Sequence, residues 1–408
     1  MSKSIVVVGG GFAGLWSALA AARLRHELGV DQGALRIVLV EQNAYHNIRV
    51  RNYEPQLEEC IVRLDDVLGP VGVERVQAEV EGIDPSSHRI RLRRGGALEV
   101  LQYDRLVFAL GSRLLRPPIA GLAQHAFDVD TYVAATRLRE HLSKRMPNGA
   151  LQAERGVLVV GAGLTGIEVA SELASNFREQ GLSAPVTICD TSSRIGMALG
   201  LQAEAVISTA LQELGVHTRT GVAIASIDQE GVVLADGQRV AAGTVVWCAG
   251  MRAHPLAATL GVELDGLGRL PVDEFMRVKG LPDVFAAGDA ALARVDDEHG
   301  SVMSCQHGRP MGRYAGHNVA ADLLGAPMLP LTIAWYVTVV DLGAWGAIYT
   351  EGWDRQVVAI RNAAKRTKQM INRVRIYPPL TGRAEDIFAA AAPVVQAAPQ
   401  KEPALVSC

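Results

Sequence analysis

The chain has 408 residues, enough for two or three domains, and its 49% hydrophobic and 20% charged residues are typical of a globular protein with a large core. Its formal net charge of -3 argues against general nucleic-acid binding. The five cysteines include no CxxC pair, which excludes a disulfide framework and the usual zinc spacings, so no metal site is expected. No apolar run reaches the ~18 residues needed to span a bilayer, and no signal-peptide pattern precedes the first strand, so we expect a cytoplasmic protein.

The chain opens with a pattern typical of a nucleotide-binding strand and helix. Ile5–Val8 is a short β-branched run, and the fingerprint Gly9-x-Gly11-x-x-Gly14 follows it. The first glycine allows a tight turn, the second lets the backbone approach a pyrophosphate, and the third lets helix and strand pack closely. The helix predicted over Leu15–Leu24 would point its N-terminus at the phosphate charge.

The same pattern recurs about 150 residues later. A strand over Gly156–Val160 leads into Gly161-x-Gly163-x-x-Gly166 and a second helix. One such motif is a weak signal, whereas two motifs in the same strand–helix setting indicate two dinucleotide sites. Two dinucleotides in one chain suggest that a hydride passes from one to the other, with the chemistry supplied by the cofactors.

An acidic residue ends the next strand after each fingerprint. The strand predicted over Arg36–Val40 leads to Glu41, and the strand over Val186–Cys189 leads to Asp190. A carboxylate at this point accepts hydrogen bonds from a ribose diol. Asp190 therefore predicts NADH rather than NADPH, because it would repel a 2′-phosphate. Arg194 could pair with such a phosphate and is treated as secondary.

Three further motifs follow in a characteristic order: ALGS at Ala109–Ser112, CAG at Cys248–Gly250 and DVFAAGD at Asp283–Asp289. With the two fingerprints, they resemble the two-dinucleotide FAD/NAD(P)H oxidoreductases over roughly residues 1 to 325. The resemblance implies that the first fingerprint holds FAD and the second holds the nicotinamide nucleotide. It also implies that the Asp289 carboxylate binds the ribityl chain and that the main chain of Val80 meets the adenine.

The resemblance implies an α/β fold with two Rossmann-like dinucleotide-binding domains and a small C-terminal α+β domain. The expected FAD domain is discontinuous, over residues 1–112 and 251–328, with the NAD(P)H domain, residues 113–250, inserted in it. Residues 329–388 would form the C-terminal interface domain, and 389–408 a disordered tail. The expected cofactor-binding residues are Gly9, Gly11, Phe12, Ala13, Gly14, Glu41, Val80, Ala109, Gly111, Gly161, Gly163, Thr165, Gly166, Asp190, Gly250, Gly288 and Asp289.

The cysteines narrow the choice within this family. Disulfide reductases place a cysteine pair against the flavin, but the region after Glu41 has only Cys60, which we interpret as structural. The remaining pattern resembles the type II NADH:quinone dehydrogenases, single-chain flavoproteins of the membrane surface. Glu168 matches a glutamate that those enzymes place near nicotinamide and quinone; a helix acid favoured by the helix dipole is the structural alternative.

The quinone motif of that family, Ala-Gln-x-Ala-x-x-Gln, is only partly kept. Gln306 is present, but Met311 replaces the final glutamine, and Pro310 must start or kink the helix. His307 could deliver a proton to a reduced acceptor, or could simply form a hydrogen bond near the flavin. Glu168, Gln306 and His307 are the candidate catalytic residues, and the role of Cys305 stays open.

The segment after residue 355 is basic and amphipathic. Its basic residues are Arg361, Lys365, Arg366, Lys368, Arg373 and Arg375, and its apolar stripe comprises Ile360, Ala363, Ala364, Met370, Ile371 and Val374. Such a helix, over residues 357–377, could lie on an anionic membrane, on the cytoplasmic face. It could equally dock on its own domain or on a second copy of the chain in a homodimer.

These features together predict an FAD enzyme that oxidises NADH and passes two electrons to a quinone or another small acceptor. One alternative is a cytosolic NAD(P)H reductase of a small iron protein, with the basic helix docking an acidic carrier. Another is a nucleotide-binding flavoprotein of negligible turnover that acts as a sensor or interaction module.

Overall fold

The computed structural model describes residues 2–145 and 155–399. Its first sheet is entirely parallel, and the β-branched run predicted at the start of the chain lies at its centre. In order across the sheet, the strands are Val284–Ala286, Arg105–Phe108, Lys3–Val8, Leu35–Glu41 and Glu74–Gln77. The strand of residues 284–286 comes from the second half of the chain, so the sheet is assembled from two distant segments.

The second sheet repeats this arrangement with five parallel strands. In order, they are Ala126–Phe127, Thr244–Trp247, Val157–Val160, Val186–Cys189 and His217–Arg219. The antiparallel pair of Ser112–Leu114 with Met251–Ala253 carries the chain from the first sheet into the second and back. The predicted α/β fold with two Rossmann-like sheets is confirmed, while the exact domain boundaries stay a prediction.

Helices connect and cover these sheets, and small antiparallel sheets extend them. The helices are α1 Phe12–Glu27, α2 Leu64–Leu68, α3 Leu122–His125, α4 Tyr132–Arg145, α5 Leu164–Glu179, α6 Leu201–Glu213, α7 Cys305–Leu324, α8 Arg361–Met370 and α9 Ala384–Ala390. The antiparallel strands are Tyr45–Asn47 with Ile61–Arg63; Glu79–Asp84, Arg89–Arg94 and Ala97–Gln102; Ile224–Asp228, Gly231–Leu234 and Arg239–Ala241; and Val337–Asp341, Ala347–Glu351 and Gln356–Ile360. Leu270–Pro271 pairs with Ala291–Leu292 in parallel.

Helix α1 is buried because it packs between the first sheet and α7. A Cβ atom built on Gly312 of α7 would lie 2.3 Å from the carbonyl oxygen of Ala13. Only glycine therefore permits the two helices to approach this closely. The close packing fixes the N-termini of both helices at the same end of the sheet.

The C-terminal sheet packs on the second unit of the chain. Val340 and Ile348 belong to the same apolar core as Ile167 and Ala174 of α5. The basic segment differs in its bounds from the prediction, because residues 356–360 form a strand before α8 begins. Helix α8 continues into the π-helical turn Ile371–Arg375.

The tail predicted to be disordered from residue 389 is ordered up to Pro399. The short helix α9 packs against α1, where the Phe388 and His26 rings stack at a centroid distance of 4.7 Å. Further on, the Trp335 indole donates a hydrogen bond to the carbonyl of Gln396 over 2.6 Å. The prediction for residues 389–399 is therefore wrong, because these long-range contacts hold a segment whose composition looks disordered; residues 400–408 lie outside the described range.

Within residues 2–145 and 155–399, every helix is too short or too polar to cross a lipid bilayer.

Candidate functional site

One large cavity runs through the molecule from the first glycine loop to the C-terminal tail. Its volume is about 830 Å³, within the range expected of cofactor sites. The loop that begins at Gly9 lines it, and so do Trp335 and Val395 from the C-terminal part of the chain. Cys305 and Gln306, at the N-terminus of α7, also line the cavity.

The first glycine loop has the geometry that the fingerprint predicts. Gly9 has a φ of +101°, a backbone conformation that side chains rarely allow. A Cβ atom on Gly14 would lie 1.8 Å from the carbonyl oxygen of Gly9, so α1 can pack on the turn only with glycine there. At Gly11, by contrast, a Cβ atom would meet nothing within 4 Å. The loop therefore leaves open space at the point where a pyrophosphate would approach the backbone.

The Glu41 carboxylate is held against this loop. Its Oε2 accepts a hydrogen bond from the amide of Gly10 over 2.7 Å, and its Oε1 accepts one from the amide of Asn43 over 3.0 Å. Both bonds fix the carboxylate at the end of its strand, facing the cavity. This is the position from which it can accept hydrogen bonds from a ribose diol.

Asp289 lines the same cavity, next to Ser112 at the start of the strand Ser112–Leu114. Its Oδ2 accepts a hydrogen bond from the hydroxyl of Ser112 over 2.6 Å, and Nη1 of Arg49 is 3.8 Å away. Burial raises the pKa of Asp289, although the Ser112 hydrogen bond and the charge of Arg49 act to lower it. The site thus holds a carboxylate that keeps acceptor capacity for a polyol such as a ribityl chain.

The second glycine loop reproduces the first. Gly161 has a φ of +103°, and a Cβ atom on Gly166 would lie 1.8 Å from the Gly161 carbonyl oxygen. At Gly163 a Cβ atom would again meet nothing within 4 Å. Asp190 corresponds to Glu41, because its Oδ2 accepts a hydrogen bond from the amide of Ala162 over 2.6 Å.

The surroundings of the Asp190 carboxylate favour its ionised form. Burial acts to raise its pKa, but backbone hydrogen bonds from Ala162 and Ser192 outweigh burial, and the pKa is lowered. The bond from the Ser192 amide to Oδ1 is 2.7 Å long. Arg194 is directed elsewhere, with Nη1 lying 3.4 Å from Oε2 of Glu204.

The cavity brings together most of the predicted site residues, but not all. Those that line it are Gly9, Gly11, Phe12, Ala13, Glu41, Val80, Ala109, Gly111, Thr165, Glu168, Gly288, Asp289 and Gln306. Gly14 lies behind the first loop, and Gly250 packs on the side chain of Leu115. Gly161, Gly163, Gly166 and Asp190 lie outside the cavity, so the second loop reaches it only through the first turn of α5.

Glu168 forms a buried ion pair at the cavity wall. Nζ of Lys368 lies 2.7 Å from its Oε1, and both side chains are only 9% exposed. The Asp341 amide donates a second hydrogen bond to Oε1 over 3.1 Å. Burial raises the pKa of Glu168. Burial would lower the pKa of Lys368, but the negative charge of Glu168 outweighs burial, and the pKa of Lys368 is raised. Lys368 is therefore protonated beside the cavity.

A second ion pair supports the first. Nζ of Lys365 lies 2.6 Å from Oδ1 of Asp341, one turn of α8 before Lys368. Glu172 stands one turn after Glu168 on α5, and burial together with the charge of Asp341 raises its pKa to about 7. Two lysines of α8 thus meet three acidic residues of α5 and the C-terminal sheet.

Gln306 and His307 occupy different surroundings at the start of α7. Gln306 lines the cavity and donates a hydrogen bond from Nε2 to the Trp335 carbonyl over 3.2 Å. The His307 ring is fully buried outside the cavity, and its Nδ1 accepts a hydrogen bond from the Val302 amide over 3.0 Å. Burial lowers the pKa of His307 to about 4, which keeps the ring neutral at physiological pH. Pro310 lies inside α7, which begins at Cys305 with Ser304 as its N-cap.

The four cysteines in the described part of the chain are all free thiols. Cys60 is buried, and burial raises its pKa to about 12. Cys305 lines the cavity, but burial raises its pKa as well. Thiols with raised pKa values are poor nucleophiles, so these positions favour packing roles.

Sequence reasoning did not identify Lys368, Asp341 or Arg49 as site residues. It treated Lys368 as part of a solvent-facing basic surface, although the residue lies between Ala364 and Ile371 at the spacing of the apolar stripe. A charged residue on that stripe is a signal for a buried partner. Asp341 and Arg49 carry no comparable signal in the sequence.

The chain resembles known redox proteins in sequence and structure. A family model described as pyridine nucleotide-disulphide oxidoreductase matches residues 3–312. An NADH dehydrogenase-like protein of Mycobacterium tuberculosis is 53% identical over 97% of this chain and 99% of its own length. A type II NADH:quinone oxidoreductase of Staphylococcus epidermidis is 28% identical over 84% of this chain and 88% of its own length. The structure of NDH2 from Plasmodium falciparum in complex with NADH aligns with a TM-score of 0.77 and 14% identity, covering 96% of this chain and 98% of that one.

Proposed function

This chain belongs to the pyridine nucleotide-disulphide oxidoreductase family, and we propose that it is an NADH dehydrogenase that reduces a quinone. It is an oxidoreductase that uses FAD and NADH. The observation that carries the proposal is the single cavity that the first glycine loop, Gln306 and the apolar side chain of Trp335 all line. A second substrate can therefore enter the same cavity that would hold the flavin.

The residues of the first loop fit FAD. The open space at Gly11, the Glu41 carboxylate and the Asp289 carboxylate would hold the pyrophosphate, the ribose and the ribityl chain. When bound, FAD supplies the redox chemistry, since it takes a hydride equivalent from NADH and returns two electrons to the second substrate. The helix α7 begins at Cys305, so its N-terminal amides would stabilise negative charge beside the ring.

The second loop fits the nicotinamide nucleotide. Gly163 leaves the same open space as Gly11, and Asp190 would accept hydrogen bonds from both ribose hydroxyls of NADH. Because Leu164, Thr165 and Glu168 are the members of its fingerprint region that reach the cavity, the nucleotide would enter the cavity at the start of α5.

Reduction of a quinone also requires protons. The overall reaction removes a hydride from NADH and adds two electrons and two protons to the quinone, with the second proton coming from solvent. Lys368 holds a proton on Nζ at the cavity wall, and Glu168 orients it over 2.7 Å. We assign this pair to proton delivery in place of His307, which lies outside the cavity.

We further propose that the mouth of the cavity rests on a membrane surface through apolar contacts. Val374, Leu380, Val394 and Val395 are 69%, 58%, 56% and 48% exposed, and the last two line the cavity. The basic residues contribute less than predicted, because several are paired within the molecule. The pairs are Arg361 with Glu213, Lys365 with Asp341, Lys368 with Glu168 and Arg373 with Glu54.

The membrane contact is tested by vesicle binding. Val374→Asp removes an exposed apolar side chain and adds a charge that anionic lipid repels, so we expect about 10-fold weaker binding to anionic vesicles. Leu98→Asp is the matched control, because Leu98 is 65% exposed in the sheet of residues 79–102. Equal binding by the two variants would remove the membrane contact from the proposal.

An acceptor screen tests the enzymatic proposal. Steady-state NADH oxidation is measured with a neutral short-chain quinone, a small iron-protein carrier and an artificial acceptor, and we expect the quinone to give the highest turnover. Faster reduction of the iron protein would replace the proposal with the reductase alternative. Flavin that NADH reduces slowly, with negligible turnover on every acceptor, would favour a sensor or interaction module.

A further inference from the structure

Two arginines of α7 are buried beside the cavity without a carboxylate partner. Arg309 is 7% exposed and lines the cavity, and Arg313, one turn further along, is 1% exposed. Every ion pair in the described part of the chain leaves these two guanidinium groups out. A buried charge without a counter-charge is costly, so an arrangement of this kind normally has an anion as its partner.

The donors of this cluster have no acceptors among the described residues. Nε of Arg309, Nε and Nη1 of Arg313 and Nε1 of Trp16 are all buried and without a hydrogen-bond partner. The Trp16 ring lies 5.0 Å from the Arg309 guanidinium carbon and 4.4 Å from that of Arg313. One indole ring thus supports two like charges, which stabilises each cation but neutralises neither.

A third arginine adds to the same field from the C-terminal segment. Arg375 lines the cavity, lies 5.5 Å from the centre of the Trp335 ring and donates a hydrogen bond to the Ala397 carbonyl. Burial, together with repulsion by Arg309 and Arg375, lowers the pKa of Arg313 to about 9. The three cations therefore repel one another.

The walls around these cations are apolar and aromatic. Trp335, Tyr336, Pro310, Ile371 and Val395 line the same cavity as Arg309 and Arg375, and the Trp335 ring packs on the Arg375 guanidinium. A flat apolar body would fit such walls, and a negative charge at its edge would meet the unpartnered guanidinium donors.

We propose that the part of the cavity beside these cations is a subsite for an acidic quinone, one whose ring carries an ionised oxygen or carboxylate, bound by Arg309 and Arg375 with Arg313 behind them. The inference rests on the proposed function, because it specifies the acceptor of that same site. The anion would neutralise the unpaired arginines, and its position would orient the quinone toward the part of the cavity wall that Gln306 forms.

The test compares a hydroxynaphthoquinone that is ionised at neutral pH with its uncharged methyl ether. Both are titrated calorimetrically into the FAD-loaded protein, in the absence of NADH. We expect the ionised compound to bind wild type at least ~10-fold more tightly than the ether, as charge-assisted hydrogen bonds contribute on this scale. Arg309→Gln and Arg375→Gln should each remove most of that preference, and Arg309→Lys should retain part of it.

Arg373→Gln is the matched control, because Arg373 is half exposed on the same turn as Arg375 and lies outside the cavity. It should keep the wild-type preference. If Arg309→Gln does not fold, Arg375→Gln alone decides, since that residue is only partly buried.

Equal affinity of wild type for the two compounds would overturn the inference, as would a preference that survives both arginine variants. Tight binding of inorganic phosphate without preference for the ionised quinone would also overturn it, and would assign the cluster to a free anion. Reduction of the methyl ether by NADH is measured separately. If the ether is reduced but charge has no effect, the subsite fails and the proposed function stands; if neither compound is bound or reduced, both fail.

Discussion

The two glycine loops have the same backbone but opposite electrostatic surroundings. Gly9 and Gly161 have φ values of +101° and +103°, and the carboxylates of Glu41 and Asp190 accept a hydrogen bond from the same amide of each loop. The helices then differ at the second residue after the third glycine. In α1 that residue is Trp16, against which two unpaired arginines lie; in α5 it is Glu168, which Lys368 neutralises.

The difference is what we expect if one supersecondary unit holds a resident cofactor and the other holds a nucleotide that binds and leaves. Helix α1 is enclosed between the first sheet and α7, and its loop opens into the large cavity, as suits a resident cofactor. The loop before α5 lies outside that cavity, as suits a nucleotide that must bind and leave. Helix α5 instead presents Glu168 and Glu172 to the C-terminal sheet and α8. The charged side chains of the second helix therefore link the nucleotide unit to the C-terminal domain.

Removing Lys368 tests this link with the largest expected effect. In Lys368→Met, the buried Glu168 loses its counter-charge, and breaking a buried pair in this way costs about 3–5 kcal/mol of unfolding free energy. Urea unfolding measures the loss. The quinone-dependent turnover should also fall about 100-fold if Lys368 delivers the proton, while the reduction of bound flavin by NADH should be nearly unchanged.

The double variant Glu168→Gln/Lys368→Met separates stability from chemistry. It removes both charges, so we expect most of the stability to return without the turnover. A double variant that recovers turnover along with stability would show that the pair is structural and that another group delivers the proton.

Asp190→Ala tests the equivalence of the two carboxylates. Loss of the ribose hydrogen bonds and of the repulsion toward a 2′-phosphate should together change the ratio of kcat/KM for NADH and NADPH by about 10²-fold. The wild type should prefer NADH, since the pKa of Asp190 is lowered and the group stays ionised. Arg194 should not restore NADPH binding, because it lies near Glu204.

Glu41→Gln is the matched variant at the first loop. It should weaken FAD retention, measured by the flavin absorbance that survives dialysis, and leave the preference between NADH and NADPH unchanged. A shift of that preference in Glu41→Gln, or none in Asp190→Ala, would mean that the two loops do not divide the nucleotides as proposed.

The loops and their carboxylates could be predicted from the sequence because their physics is local. A positive φ at Gly9, a close helix approach at Gly14 and an acid at the end of the next strand all follow from short segments. The same holds for the second copy. Two parallel sheets with the same order over four of their five strands then follow from the repeated motif.

The rest of the site depends on contacts between distant segments. Lys368 and Glu168 are 200 residues apart in the chain, and no local pattern pairs them. The stack of Arg309 and Arg313 on Trp16 depends likewise on how α7 packs on α1. The tail was misjudged for a related reason, since the alanine and proline content of residues 389–399 says nothing about the Trp335 side chain that holds it.

Substitution of Glu172 has the smallest effect that we predict. This position also differs most clearly between the two helices, α1 and α5. Its counterpart in α1 is Ala20, which cannot ionise. The pKa of Glu172 is raised from 4.5 to about 7, first by burial and then by the charge of Asp341. Lys365 opposes this rise, while the charges of Glu54 and Glu179 add to it.

The raised pKa makes the stability of the protein depend on pH in a defined direction. As the pH rises, the unfolded chain releases the Glu172 proton near pH 4.5 and the folded protein releases it only near pH 7. Ionisation therefore destabilises the folded state progressively between these values, and the full penalty remains above pH 7. Glu172→Gln removes the penalty, so it should raise the free energy of unfolding by about 2 kcal/mol at about pH 8 and hardly at all below pH 4.5. Urea unfolding at both pH values measures this, with Glu99→Gln, at an exposed position of the strand Ala97–Gln102, as the control. A stabilisation that is equal at the two pH values would show that the gain comes from packing, and that the carboxyl group of Glu172 does not titrate in the window set by its surroundings.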